Sequence, residues 1–390
     1  PLRLAAERHS VDLALAAVLI AWVPASWRWL RQGRVGRATA ALLLPLALAT
    51  PHLTPPMYGD EPYHLRIMES LIGDGDLDLS NNLAGDDLVG DRGRVVSERL
   101  LHSPVLAVLV LPGFTAAGRT GALVLLAMVG VLLAGLIASR GRRLGIPNSR
   151  IRWVILGLAL SYPLATYATQ IWVELPGAAM IAAILLLSGA SSPGGRWAAA
   201  GLALLAAAMK TRLGLIAFPA AAASWWRRGR VSTIVGALVL GGAAVAALVV
   251  GWVTMGHPFG AFRRVVHLVP VDPVLAVKVV GGLAFDPAGG LAFTAPLLLV
   301  AAASFGLLWR RGESAERAML AGGLVTVFAL FHSPEWYGGG APPARYLVPL
   351  LPAFALTWGM LLWRRIRWRR LAEVLVVPSV FMWWALITRA

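Results

Sequence analysis

Residues 120–143 read TGALVLLAMVGVLLAGLIASRGRR, an apolar run with no charge from Thr120 to Ala138 that ends on Arg140, Arg142 and Arg143. Its length matches the roughly 20 residues a helix needs to cross a bilayer core. Arginines at one end fit the retention of Lys and Arg on the cytoplasmic side. The whole chain carries this signature, with 58% hydrophobic and 14% charged residues among 390 and a mean hydropathy of +0.71. Polar side chains are too few to cover such a surface in water, so lipid is the expected solvent.

Further apolar runs lie near 11–28, 38–54, 152–169, 175–190, 197–209, 213–226, 231–254, 291–308, 318–331, 347–363 and 372–388. With 120–138 they predict an all-α integral membrane protein, a multi-pass helical bundle of about twelve transmembrane helices forming one domain over 1–390. Arginine clusters at Arg28 to Arg37, Arg140 to Arg152, Arg227 to Arg230, Arg310 to Arg317 and Arg364 to Arg370 then share one side, the cytoplasmic one. The excess of 35 Lys+Arg over 19 Asp+Glu therefore reports topology, and no nucleic acid is expected as a partner. Without cysteine there is no disulfide framework or thiolate chemistry. The first run lacks a small-residue cleavage site and is followed by arginines, so no cleavable signal peptide is expected, and the N-terminus is external. Pro104 to Thr115, PVLAVLVLPGFT, is too short to cross and holds two prolines, which predicts a re-entrant or interfacial helix on the outer face.

The opposite side carries the long loops. The first, with that short helix, occupies 55–118; the others run from Gly256 to Gly290 and from His332 to Tyr346. Where a span leaves the membrane, Gly59-Asp60-Glu61-Pro62-Tyr63-His64 places two adjacent carboxylates. Acids at that depth are expensive unless solvated, paired or used. Pro62 suits a first helical turn, which puts Asp60 near the cap, where the helix dipole favours its ionised form. A carboxylate there can act as general base toward an acceptor hydroxyl, and the departing phosphate then needs cations. Outer-face cations are few: Lys210 and Arg212 in AAAMKTRLG, Arg263 and Arg264, and Arg345 in PPARYLVP. Arg345, Lys210 and Arg212 sit at helix ends and are the expected phosphate ligands; Arg263 and Arg264 equally suit snorkelling to headgroups.

Asp60 and Glu61 are thus the candidate catalytic pair, with Tyr63, His64, Glu174, Trp336 and Tyr337 as candidate substrate contacts. Glu174 in QIWVELPG suits a salt bridge equally well. Trp336, Tyr337 and Gly338 to Gly340 read as an aromatic wall, although tryptophan is common at membrane interfaces. The run Gly73 to Asn82, GDGDLDLSNN, superficially resembles a calcium loop but lacks the EF-hand glycine and glutamate at their offsets. Turn and capping roles are commoner there, so no metal ligand is assigned and a divalent cation near the first external loop stays open.

MYGDEPYHL with DGDLDLSNN, QIWVELPG, MKTRLGLIAFP, LAFDPAGGLAFTAP and EWYGGGAPPARYLVPLLP together resemble bacterial GT-C glycosyltransferases. That superfamily includes the protein O-mannosyltransferases, the aminoarabinose lipid A transferase and the mycobacterial arabinosyl and mannosyl transferases. Its members carry an acidic motif, often Asp-Glu, in the first external loop, and Asp60-Glu61 matches it. The resemblance implies a polyprenyl phosphosugar donor and inverting transfer to an acceptor hydroxyl of a glycan, lipid or protein. It places Asp60 as general base, on the extracytoplasmic face of a bacterial plasma membrane. No Gly-rich phosphate loop or βαβ pattern suggests a nucleotide-sugar site. A transporter or flippase, or a non-catalytic scaffold, is the alternative; a transporter would place ionisable residues at the bilayer midplane in repeated halves.

Overall fold

A computed structural model of the chain describes residues 26, 28–29, 31–53, 59–79, 89–90, 94–95, 100, 102–160, 162–189, 192–226, 228–256, 273–287, 290–331, 345–364, 370 and 374–375. The apolar runs become helices. They are α1 (Val35–Leu53), α2 (Glu61–Gly73), α3 (Val105–Arg143), α4 (Asn148–Leu160), α5 (Tyr162–Ala168), α6 (Glu174–Ser188), α7 (Pro193–Met209) and α8 (Thr211–Trp226). There follow α9 (Arg230–Met255), α10 (Pro273–Phe285), α11 (Leu291–Thr294), α12 (Pro296–Ala303), α13 (Phe305–Arg311) and α14 (Ser314–Leu330). A 3-10 turn, Arg345–Leu350, leads into α15 (Leu351–Arg364). The sole extended pairing among the described residues is a two-residue antiparallel ladder, β1 (Val89–Gly90) with β2 (Arg94–Val95).

The fold is an all-α, multi-pass membrane bundle. Among the described residues three helical stretches are long and apolar enough to cross a membrane: Val105–Arg143, Arg230–Met255 and Arg345–Leu362. Val231, Leu238 and Val253 on α9 are more than 70% exposed, as side chains facing lipid rather than water would be. The first and last runs expected from the sequence, 11–28 and 372–388, lie almost entirely outside the described residues.

The short helix predicted at 104–115 is the first arm of α3. Ala117 and Gly118 leave helical geometry, with Gly118 at φ 55°, and the chain folds back into a helical hairpin. A Cβ built on Gly121 would lie 1.9 Å from the Gly113 carbonyl oxygen, so only glycine lets the two arms touch backbone to backbone. The stretch 273–285, assigned to an outer loop, forms α10, because its valines and leucine dominate the single charge of Lys278.

The long arm of α3 sets the depth of the molecule. Arg119 at its start and Arg140 near its end are about 30 Å apart at 1.5 Å per residue, one bilayer core. Arg140, read as a solvated topological charge, is instead 1% exposed. Its Nε donates to Glu316 Oε1 at 2.6 Å and its Nη2 to Glu316 Oε2 at 2.9 Å, with Glu313 Oε2 3.0 Å from Nη2. Glu313 and Glu316 also form the capping box of α14, so the arginine pins the end of α3 to the start of α14.

Removing one partner of a buried ion pair strands the other, at about 3 kcal/mol or more. Glu316→Ala is therefore expected to lower the thermal unfolding midpoint in detergent clearly, and Arg140→Leu with Glu316→Leu to recover most of the loss. A double variant as unstable as the single one would refute the pairing as the cause.

Candidate functional site

Four helix ends and one loop meet at the end of the bundle opposite Arg140. Asp60 is the N-cap of α2, with Pro62 in the first turn, but its side chain makes no capping bond. It turns to cations instead: Asp60 Oδ2 accepts from Lys210 Nζ at 2.9 Å and from Arg345 Nη2. Lys210 lies at the extended residue between α7 and α8, which aims its side chain and that of Arg212 from the same bend. Glu174 opens α6, where the helix dipole favours a carboxylate. Its Oε1 accepts from Arg345 Nε at 2.8 Å and from Arg212 Nη2.

The result is an alternating chain of charge, Lys210, Asp60, Arg345, Glu174, Arg212, with Arg345 bridging the two carboxylates. Three cations face two anions, a surplus of one positive charge. Aromatic rings fix the planes of both guanidinium groups: Arg345 Cζ lies 4.4 Å from the centroid of Trp172, and Arg212 Cζ lies 4.6 Å from that of Tyr346. The network is incomplete. Glu174 Oε2 and Arg212 Nε are buried without a hydrogen-bond partner among the described residues.

The second acid behaves differently. Glu61 is 1% exposed, and its Oε1 accepts from Arg119 Nε at 2.7 Å, tying α2 to the second arm of the α3 hairpin. Burial pushes its carboxyl up, against the pull of Arg119. Asp60 is driven the other way. Burial opposes its ionisation, but Arg345, His102 when protonated, and Lys210 hold it well below the usual carboxylate range. Burial, reinforced by Arg345, brings the Lys210 ammonium down to about 8.

Two imidazoles complete the site. His102 Nε2 approaches Asp60 Oδ1, the oxygen the cations leave free, at 3.4 Å. Burial pushes His102 down to about 4, so it is neutral near pH 7 and the approach is not an ion pair. Tyr63 packs edge-on against His102 at 5.5 Å, and His64 lies 5.7 Å from it, centroid to centroid. His64 is fully buried with neither ring nitrogen hydrogen-bonded among the described residues, and burial brings it down to about 3.

The structure thus brings together Asp60, Lys210, Arg212, Arg345 and Glu174, with Tyr63 and His64 alongside and Glu61 engaged by Arg119. Trp336, Tyr337 and the Arg263/Arg264 pair lie outside the described residues. His102, Arg119, Trp172 and Tyr346 were not singled out in the sequence. His102 had a signal, as the last ionisable residue before the apolar arm that opens with Pro104. In the calcium-like run, Asp76 Oδ1 accepts from Ser70 Oγ and from the Asp78 amide, a turn role. No three His, Asp or Glu side chains among the described residues are set to hold a metal.

An apolar cavity of about 490 Å³ begins within a turn of Glu174, at Pro176 on α6. Its walls include Leu109 and Val110 from the first arm of α3, Leu126 and Met128 from the second, and Met180.

No family model and no curated protein sequence matches the chain. Among solved structures it is similar to ArnT from Cupriavidus metallidurans, an aminoarabinose transferase of GT-C fold, at 17% identity and TM-score 0.54 for the apo state. That match covers 86% of this chain and 60% of ArnT. ArnT bound to undecaprenyl phosphate matches at 16% identity and TM-score 0.53, over 86% of this chain and 61% of ArnT. The Archaeoglobus fulgidus oligosaccharyltransferase aligns at 15% identity and TM-score 0.49, covering 91% of this chain and 53% of its own. The chain therefore has the GT-C fold and spans about three fifths of the ArnT length.

The lowered native pKa of Asp60 fixes the sign of its contribution to stability. Its ionised form stabilises the fold fully above the ordinary value of 3.8, and that contribution fades as pH falls below it. Asp60→Asn is expected to melt lower than the parent at pH 7, with the gap closing as pH falls below about 4. A gap independent of pH would contradict the ionic pairing.

Proposed function

We propose that the chain is a membrane glycosyltransferase that moves a sugar from a polyprenyl phosphate donor to an acceptor hydroxyl, with inversion, on the extracytoplasmic face of a bacterial plasma membrane. One observation carries the reading: three cations and two carboxylates, surplus one positive charge, at helix ends beside an apolar cavity. A polyprenyl phosphosugar is a phosphodiester of one negative charge joined to a hydrocarbon chain, so it matches that pair of features in charge and in polarity. ArnT, of the same fold, has been solved with undecaprenyl phosphate.

Without donor, Lys210 and Arg345 share Asp60, and Arg345 also pairs with Glu174. An arriving phosphate competes for them, and Arg can grip it through parallel hydrogen bonds. Arg212 adds its charge from beside Tyr346. The prenyl chain lies along the Pro176 to Met180 face of α6 and the α3 hairpin. Once its cations turn to phosphate, Asp60 keeps the burial that raises its pKa and loses the charges that lower it, which makes it a stronger base. The acceptor oxygen attacks the anomeric carbon opposite the phosphate, and Asp60 takes its proton. Lys210, Arg345 and Arg212 stabilise the charge that grows on the leaving phosphate. Tyr63 and His64 contact sugar or acceptor, His64 supplying unsatisfied ring nitrogens. Glu61 acts indirectly, by holding α2 on Arg119.

Asp60→Asn is expected to lower transfer from a polyprenyl phosphosugar by about 10³-fold or more while the protein still folds. Arg345→Ala should weaken undecaprenyl phosphate binding by roughly 10²-fold with little change in acceptor affinity. Equal loss for donor and acceptor would make Arg345 structural. Because Lys210 loses its charge near pH 8, undecaprenyl phosphate affinity should fall as pH rises through about 8, and Lys210→Arg should remove that fall. A pH-independent affinity in the parent would exclude Lys210 from the phosphate site.

A further inference from the structure

The two oxygens of Asp60 have separate surroundings. Oδ2 holds both Lys210 and Arg345. Oδ1 faces His102 Nε2 at 3.4 Å, longer than a charge-assisted hydrogen bond of about 2.8 Å. That spacing leaves Nε2 within reach of Oδ1 without a charge-assisted hydrogen bond, so a neutral ring with its hydrogen on Nδ1 can accept at Nε2 once Oδ1 carries a proton. His102 side-chain exposure is 13%, while the neighbouring His64 has none. The groups around His102 are Asp60 from the start of α2, Tyr63 and His64 on α2, Lys210 between α7 and α8, Arg345 from the 3-10 turn and Glu174 from α6.

We propose that His102 is the proton relay of the transferase, receiving at Nε2 the proton that Asp60 takes from the acceptor and passing it to solvent, so that Asp60 is ionised again. This rests on the glycosyl transfer reading above and adds a step to it. In transfer, the acceptor O–H bond breaks and its oxygen bonds to the anomeric carbon. The bond from that carbon to phosphate breaks, its electron pair going to the phosphate oxygen, while the proton goes to Asp60 Oδ1. The proton then moves from Oδ1 to Nε2, giving an imidazolium beside a carboxylate, and leaves to water.

The relay matters because of what holds the product. Polyprenyl phosphate carries more negative charge than the diester donor and sits on Lys210 and Arg345. A protonated Asp60 cannot compete for those cations, whereas the carboxylate can. Removing the proton from Asp60 is therefore what lets it reclaim its cations and expel the product. Loss of His102 should leave the first transfer intact and slow the reset.

The test is rapid-mixing kinetics on the full chain in nanodiscs, with undecaprenyl phosphate carrying a radiolabelled hexose or pentose and a membrane extract supplying the acceptor. His102→Ala is expected to show a burst of about one product per enzyme and then a steady-state rate lowered by roughly 10²-fold. Added imidazole should accelerate the slow phase, since the site of His102 is partly open. His102→Gln, which keeps a polar side chain, should show the same burst and slow phase, and serves if the alanine variant does not fold. Overturning results are a parent-like steady-state rate in His102→Ala, or burst and steady state lost together without imidazole rescue and restored in His102→Gln, which would make His102 a positioning residue. No labelled product from the parent chain would instead refute the transferase reading itself.

Discussion

One guanidinium holds the site together. Arg345 sits between Asp60 and Glu174, giving Nη2 to one and Nε to the other, with Trp172 against its face. Two desolvated carboxylates at helix ends repel each other and would otherwise protonate or separate. Bridging them keeps both charged and close, and each carboxylate then fixes one further cation, Lys210 or Arg212. The ends of α2, α6, α8 and the 3-10 turn are held at one place by that arrangement. The close glycine contact of the α3 hairpin serves the same geometry, because the two ends it brings together put His102 against Asp60 and Arg119 against Glu61.

The chain contains a second buried ion network, and the contrast between them is informative. At the far end Glu316 gives both its oxygens to Arg140 and joins Glu313 in capping α14, so the charges there also do a helix terminus's work. The Arg140 network also leaves one guanidinium nitrogen, Nη1, unpartnered among the described residues; the site network differs in leaving a carboxylate oxygen, Glu174 Oε2, unpartnered as well, in its surplus of positive charge, and in the apolar cavity that begins a turn away. A network selected only for stability gains nothing from such gaps, since apolar packing would serve as well or better. Gaps of this kind belong where a ligand completes the pairing.

Much of this was legible in the sequence, for a physical reason. In a chain whose positive charges mostly lie in a few arginine clusters, Asp60, Glu174, Lys210, Arg212 and Arg345 stand out because burial at a membrane edge demands partners. Which partner goes with which was hidden, because the pairs are 150, 171 and 285 residues apart. Glu61 was read with Asp60 because the two are adjacent, yet the N-terminal turn of α2 sends one to Arg345 and the other to Arg119. His102 passed unnoticed because its one signal, its place as the last ionisable residue before the apolar arm that opens with Pro104, says nothing of Asp60, far earlier in the chain. The break inside α3 falls between the short helix read at 104–115 and the span read at 120–138; what the sequence hid is the left-handed φ of Gly118 and the backbone contact of Gly113 with Gly121. The α10 helix was missed because its 13 residues are too few to stand out as a span within the loop read from Gly256 to Gly290.

A surplus of one positive charge also limits what the site can do. A diester brings it to neutrality, so binding is favoured without stranding charge in a low-dielectric cavity. In the proposed transfer a monoester product would overshoot neutrality unless a proton stayed nearby, and the acceptor hydroxyl would supply that proton. The charge on the carboxylate–cation network therefore changes only in where the proton resides. Retained on Asp60, it leaves the phosphate without a competitor; moved off Asp60, it restores the competitor. In the proposed transfer, the same electrostatics that bury five charges in the resting chain would decide when the phosphate is held and when it is released.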